Sequence, residues 1–171
     1  ISFQFPKDFV WGTTSTSFQM EGGTETTNWE NWERIAPGLK IGFPHNNACG
    51  WLNSNQWQTD FNRAAGAFQN AICISIEWGS VQPSEKQWNE NAVEHYRDMV
   101  RGLSERGLRP FVILHAFTDP LWFNQKGGWL NSDAPVYFRN YTDRIHSALK
   151  AYVHDWIPIL APNIYAINRF Y

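Results

Sequence analysis

The sequence has few cysteines, no cluster of basic residues and no long apolar run. The 171 residues include only two cysteines, Cys49 and Cys73, which form neither a disulfide framework nor a metal-ligand pattern. The 14 basic and 16 acidic residues form no basic cluster, so nucleic acid is not expected as a partner. No apolar run of about 18 residues occurs, so no membrane-spanning helix is expected. The histidines lack metal-ligand spacing, and neither a metal ion nor another cofactor is expected.

The start of the chain and its cysteines favour a cytoplasmic protein. A basic leader followed by an apolar segment is not visible after Ile1, so the sequence predicts no signal peptide. Cys73 lies in an apolar run, which indicates a buried thiol in a reducing compartment.

Aromatic residues, by contrast, are abundant. They make up 16% of the chain and include ten tryptophans. Such rings fill cores efficiently, and they also provide the flat surfaces on which sugar rings stack. Core packing is the simpler interpretation for any one tryptophan, and the composition alone leaves both open.

Predicted strands and helices alternate along the chain. Short apolar runs predict strands over residues 8–13, 71–78, 109–117 and 156–161. Apolar residues three and four apart predict helices over 56–69, 89–106 and 134–154. The polar stretch 22–55 is expected to be a long loop. This order is typical of parallel βαβ units. A closed barrel needs eight strands. We therefore predict an α/β fold: a TIM-barrel fragment with about four parallel strands and three crossover helices, folded as one domain over residues 1–171.

Five segments, in order along the chain, resemble one enzyme family. They are FPKDFVWGTTSTSFQMEG at 5–22, ISIEW at 74–78, RPFVILHAFTDPLW at 109–122, KGGW at 126–129 and WIPILAPNIYA at 156–166. Together they resemble the N-terminal half of glycoside hydrolase family 1, the β-glucosidases and their relatives.

The resemblance implies a retaining mechanism in which two carboxylates flank the glycosidic bond about 5 Å apart. It places the acid/base glutamate at the end of the fourth strand, where this chain has Ala161. It places the nucleophile on a seventh strand, which lies beyond the 171 residues. The chain alone is therefore expected to be catalytically inactive.

Other family positions have also lost polar groups. The resemblance gives Leu160 for the asparagine before the acid/base, Ala116 for a sugar-binding histidine, and Cys73 and Ser80 for two arginines. Gln19 keeps the residue type of the family's sugar ligand. The former sugar-binding positions are Gln19, Ala116, Phe117 and Leu160.

Several further side chains allow two interpretations. Trp122 and Trp129 could form an aromatic platform for a sugar or pack their own loop. Glu77 is expected to pair with a basic group at the barrel rim, and Glu21 to bond locally near the first loop. His115 is expected to be a satisfied core histidine rather than a ligand.

Three hypotheses follow for the function. In the first, the chain is an inactive half barrel, natural or engineered, that self-associates through its exposed inner sheet face. Pro158 agrees with this, because proline favours an edge strand. In the second, the emptied pocket binds a β-glycoside or a flat apolar ligand. In the third, a second chain supplies the nucleophile and completes a split β-glucosidase.

Overall fold

The computed structural model describes residues 4–35 and 49–170. Within these residues, four strands form one parallel sheet in the order β1-β2-β3-β4. The strands are β1 Gly12–Ser15, β2 Ala71–Ser75, β3 Arg109–His115 and β4 Asp155–Ile159. In this part of the chain β1 and β4 are therefore the two edges of the sheet.

Three long helices connect the strands, as the sequence predicts. They are α4 Trp57–Gly66, α6 Glu90–Glu105 and α8 Ala134–Leu149. Shorter helices are α1 Ser17–Met20, α2 Asn28–Ile35, α3 Trp51–Ser54, α5 Trp78–Val81, α7 Leu121–Gln125, a 3-10 turn at Gly128–Leu130, and α9 Pro162–Phe170. The predicted fold class, four parallel strands with crossover helices as in part of a TIM barrel, is confirmed.

One face of the sheet packs against the long helices. Ile74, Val112 and Trp156 are partners across three neighbouring strands. Ile74 and Val112 belong to the buried core, and Trp156 packs against it from the edge strand. Because register partners project on the same side of a sheet, this row defines the outer, helix-covered face.

The opposite face is the inner one and is covered unevenly, since Ser75, Ile113 and His115 of this face are buried. Cys73 and Phe111 are register partners on this face, and Ile157 and Ile159 follow on β4. All four side chains are half-buried. Burial raises the pKa of the Cys73 thiol, against a smaller opposing effect of its hydrogen bond with Thr14.

Two predicted elements need correction. Residues 8–11 are not a buried strand: Phe9, Val10 and Trp11 are 39 to 48% exposed, and β1 begins at Gly12. Apolar runs do not reveal whether covering elements exist, which explains this error. The predicted loop 22–55 contains α2 and α3. Its residues 36–48 lie outside the described part of the chain.

Candidate functional site

A cleft of about 610 Å³ opens near the carboxyl ends of the strands. In barrels of this class the carboxyl ends are where active sites lie. The walls come from α1, α2, the segment after β3, α7 and α9, through Phe18, Gln19, Asn28, Trp29, Asn31, Trp32, Glu33, Ile35, Phe117, Asn124, Tyr165, Asn168 and Arg169. The lining thus combines aromatic rings with side-chain amides, a composition that suits a ligand with both flat apolar and hydroxyl-bearing surfaces.

Two of the four predicted sugar-binding positions line this cleft. Gln19 is exposed, and its Oε1 accepts a hydrogen bond from Thr16 Oγ1 at 2.7 Å. Phe117 lies at 6.3 Å from Trp29, centroid to centroid, with nearly parallel planes. Ala116 is 4% exposed, Leu160 is half-buried, and neither belongs to the cleft lining.

Ala161 lies two residues after the end of β4 and immediately before α9. Its φ of 44° lies in the left-handed region, which is unusual for a residue with a Cβ. The side chain is a half-buried methyl group, which has no proton to donate. The backbone carbonyl of Ala161 accepts hydrogen bonds from the amides of Ile164 and Tyr165, so it anchors the first turn of α9.

Trp122 and Trp129 do not line the cleft. Both pack around the buried Trp78, with ring centroids at 6.1 and 6.4 Å. Trp122 Nε1 donates to the Gln82 carbonyl at 2.9 Å, and Trp129 Nε1 donates to Asp119 Oδ1 at 3.1 Å. This geometry agrees with the interpretation that the two rings pack their own loop, rather than with a platform for a sugar.

Glu77 is fully buried between the end of β2 and the start of α5. Its carboxylate accepts from Ser17 Oγ at 3.0 Å and from Thr118 Oγ1 at 2.9 and 3.0 Å. The predicted basic partner is therefore wrong: the partners are hydroxyl groups. Burial raises the pKa of Glu77 to about 7, although these hydrogen bonds act in the opposite direction. Through these hydrogen bonds, Glu77 connects the segment after β2 to α1 and to the loop after β3.

Glu21 is bonded across the fold rather than locally, so the expectation of a local bond is wrong. Its Oε2 lies 2.9 Å from Nε2 of His95 on α6. The carboxylate of Glu21 is 2% exposed and the His95 side chain is 9% exposed. The pair links the segment after α1 to the helical layer.

His115 belongs to a third buried cluster, with Asp119 at its centre. His115 Nε2 donates to Asp119 Oδ1 at 2.9 Å, and Tyr165 Oη donates to Oδ2 at 2.6 Å. Trp129 shares Oδ1 with His115. The expectation of a satisfied core histidine holds for Nε2 but not for Nδ1, which is buried without a hydrogen-bond partner. Burial and the neighbouring Asp119 raise the pKa of Tyr165.

Neither metal ligation nor membrane insertion finds support in the described residues. Within 4–35 and 49–170, His, Cys, Asp and Glu side chains form no group of three that could hold an ion. In the same ranges no helix combines the length and the apolar character that crossing a bilayer requires.

Comparison with known proteins decides the family. The sequence profile of glycosyl hydrolase family 1 matches residues 1–171. The chain belongs to this family. β-Glucosidase A of Thermotoga maritima is 26% identical over 170 residues, covering 96% of this chain, and 6-phospho-β-galactosidase of Clostridium acetobutylicum is 29% identical.

Solved structures agree with this assignment. The AHE enzyme from Alicyclobacillus herbarius superposes with a TM-score of 0.90 at 26% identity, over 97% of this chain and 38% of that one. A β-glycosidase from Pyrococcus horikoshii superposes with a TM-score of 0.81 at 30% identity, over 95% of this chain and 37% of that one. The chain thus spans about 38% of the length of the family 1 relatives it matches.

The sequence did not predict the cleft residues on α2 and α9. Trp29, Trp32 and Ile35 on α2 and Tyr165 and Arg169 on α9 line the cleft without having been predicted. The signal for α2 was present, since its three apolar residues recur every third position. It was obscured because the surrounding stretch is polar and rich in glycine and asparagine.

Proposed function

We propose that this family 1 protein binds a β-glycoside without hydrolysing it. The observation that carries the proposal is the contrast between its cleft and its acid/base position. The cleft offers amides and aromatic rings. Ala161, which lies just after β4, offers only a methyl group.

The buried carboxylates do not replace the missing acid. Glu77, Glu21 and Asp119 are each at most 2% exposed, and each is engaged by hydrogen bonds within the chain. A general acid must reach the glycosidic oxygen within hydrogen-bond distance. Among the described residues that line the cleft, Glu33 is the one carboxylate, and it lies on α2 rather than after β4.

Binding and hydrolysis can be measured on the same samples. Isothermal titration with methyl β-D-glucoside should show binding, and prolonged incubation with 4-nitrophenyl β-D-glucoside should release no 4-nitrophenol. Gln19→Ala should weaken binding because it removes an amide from the cleft. Gln87→Ala, which alters an exposed glutamine outside the cleft, is the matched control. Catalytic release of 4-nitrophenol would refute the proposal, and so would a lack of binding at millimolar ligand.

A split enzyme would give a different result. If a second chain supplies the nucleophile, Ala161→Glu should raise the hydrolysis rate in its presence, since general acid–base catalysis contributes about 10²–10⁴-fold. Without such a gain, the split β-glucosidase hypothesis fails.

We also propose that two copies associate through the inner sheet face. The half-buried Phe111 and Ile157 of this face support this proposal, together with the edge positions of β1 and β4 in the described sheet. A two-fold axis along the strands would place β4 beside β1 of the second copy in parallel orientation, giving eight strands.

Light scattering coupled to size-exclusion chromatography tests this association. A dimer is expected at micromolar concentration, and Ile157→Asp should dissociate it. Leu130→Asp, at a 78% exposed position away from the sheet, is the control. A monomeric wild type at the same concentration would contradict the proposal.

A further inference from the structure

A strained turn carries Phe117, one of the residues that line the cleft. Its φ of 69° lies in the left-handed region, which a residue with a Cβ rarely adopts. The amide of Thr118 donates to the carbonyl of Ala116 at 2.9 Å, so a three-residue turn closes around Phe117. Such a conformation persists only where neighbouring groups hold it in place. The position of the Phe117 ring therefore depends on what fixes Thr118.

Glu77 fixes both Thr118 and α1. Its two carboxylate oxygens accept from Thr118 Oγ1 at 3.0 and 2.9 Å, and Oε2 also accepts from Ser17 Oγ at 3.0 Å. Thr118 follows Phe117 directly, and Ser17 is the first residue of α1, the helix that carries Gln19. Phe117 and Gln19 both line the cleft. One buried carboxyl group thus links two parts of the cleft wall that lie far apart in the sequence.

The hydrogen bonds of Glu77 depend on its ionisation state. An ionised carboxylate only accepts hydrogen bonds, which matches the hydroxyl donors of Ser17 and Thr118. A protonated carboxyl group has a hydrogen to donate, so one of these hydroxyl groups must accept it instead of donating. Ser17 Oγ already accepts from Ser75 Oγ at 3.0 Å, and the three hydroxyl residues are at most 3% exposed. Because bonds to the ionised form are also the stronger ones, protonation weakens the hold on Ser17 and Thr118.

Several titratable side chains lie on the elements around Glu77. They are Glu21 after α1, Tyr96 and His95 on α6, Tyr141 on α8 and Asp119 after β3. Burial raises the pKa of Tyr96 and Tyr141 well above 10, so both are neutral near pH 7. Glu21 is bonded to His95, and Asp119 is bonded to Tyr165. Burial raises the pKa of Glu77 itself to about 7, so its ionisation state changes close to neutral pH.

We propose that Glu77 is a positioning residue for the cleft, and that its ionised form holds Phe117 and Gln19 in the arrangement that binds the ligand. The inference rests on the proposed function and adds its regulation: the affinity for the glycoside rises with pH. Because linkage is reciprocal, bound ligand favours the ionised carboxylate, so binding near pH 7 releases protons. A hydrogen bond to a charged group exceeds a neutral one by an amount that changes an equilibrium constant about fivefold, which sets the expected size of the effect.

Isothermal titration with methyl β-D-glucoside between pH 5.5 and 8.5 tests the inference. For the wild type we expect the dissociation constant to fall about fivefold as the pH rises, with most of the change near pH 7. Glu77→Gln cannot ionise and should give a constant that does not change with pH. Thr118→Val removes one hydroxyl donor and should lose most of the change. Glu105→Gln, at an exposed position on α6 outside the cleft, is the matched control and should keep the wild-type profile.

Proton release distinguishes positioning by the ionised carboxylate from a merely structural role. Titrations at pH 7 in phosphate and in Tris, which differ in ionisation enthalpy, measure the protons released on binding. Release is expected for the wild type and Glu105→Gln, and none for Glu77→Gln. Circular dichroism on each variant verifies the fold. If Glu77→Gln does not fold, the wild-type release and the Thr118→Val profile decide the question.

Three results would overturn the inference and leave the proposed function in place. The first is wild-type binding that does not change with pH. The second is a pH dependence that persists in Glu77→Gln, because another group, such as His95, would then be the one that titrates. The third is an unchanged profile in Thr118→Val. Absence of binding at every pH would refute both the inference and the proposed function.

Discussion

Glu77 should make the stability of the protein decrease as the pH rises. Its carboxyl group is fully buried, and its pKa rises from 4.5 to about 7 in the folded state. The folded protein therefore retains a proton that the unfolded chain loses. Below pH 4.5 both states are protonated and the folded state has its full stability. Between pH 4.5 and 7 this contribution is lost, and above pH 7 it is absent.

The size of the effect follows from the same values. One pKa unit corresponds to about 1.4 kcal/mol, so ionisation of Glu77 costs up to about 3 kcal/mol of unfolding free energy. Urea unfolding at pH 5, 6, 7 and 8 measures it. Glu77→Gln, which is neutral throughout and can still bond Ser17 and Thr118, should flatten the curve and be the more stable protein at pH 8. Parallel curves for the wild type and the variant would refute this reasoning, because other titrating groups are common to both.

Three further predictions concern stability and can be tested by urea unfolding at pH 6. Ala161→Gly should stabilise the protein by up to about 1 kcal/mol, because Ala161 has a φ of 44° and glycine adopts this conformation without strain; a loss of stability would indicate that φ is not the limiting factor. Phe68→Gly should act in the same direction, since Phe68 has a φ of 59° and is 91% exposed, so little packing is lost. Tyr165→Phe should destabilise by about 1–3 kcal/mol, because Asp119 Oδ2 loses its 2.6 Å hydrogen bond while it stays buried; an unchanged midpoint would mean that water replaces the hydroxyl.

The central strands and the long helices could be predicted from sequence because their signals are local. The apolar runs around β2 and β3 predicted strands that begin at Ala71 and Arg109, as found. The predicted strands extended two or three residues too far, because each apolar run continues past the last residue that pairs with a neighbouring strand. Gln19 and Phe117, two of the sugar-binding positions expected from the sequence, both line the cleft.

The buried polar partners could not be predicted in the same way. Glu77 meets Thr118 across 41 residues, and Glu21 meets His95 across 74. No periodicity encodes such pairs, because they depend on how separate elements are placed in space. The same limit applies to α9, whose Tyr165 reaches Asp119 over 46 residues.

The distribution of retained and replaced polar groups has a physical explanation. Positions at which the family resemblance implies ligands of the sugar or of the catalytic residues are apolar or small here, as at Ala116, Leu160 and Ala161. The buried carboxylates Glu77 and Asp119 have donors supplied by the same chain. A buried polar group without a partner costs about 1–3 kcal/mol, so a carboxylate whose donors lie in the same chain can be kept, while a group whose partner is the substrate is unsatisfied whenever the substrate is absent. On this argument, Ala161→Glu should lower the free energy of unfolding measured in urea, unless a partner for the new carboxyl group is present.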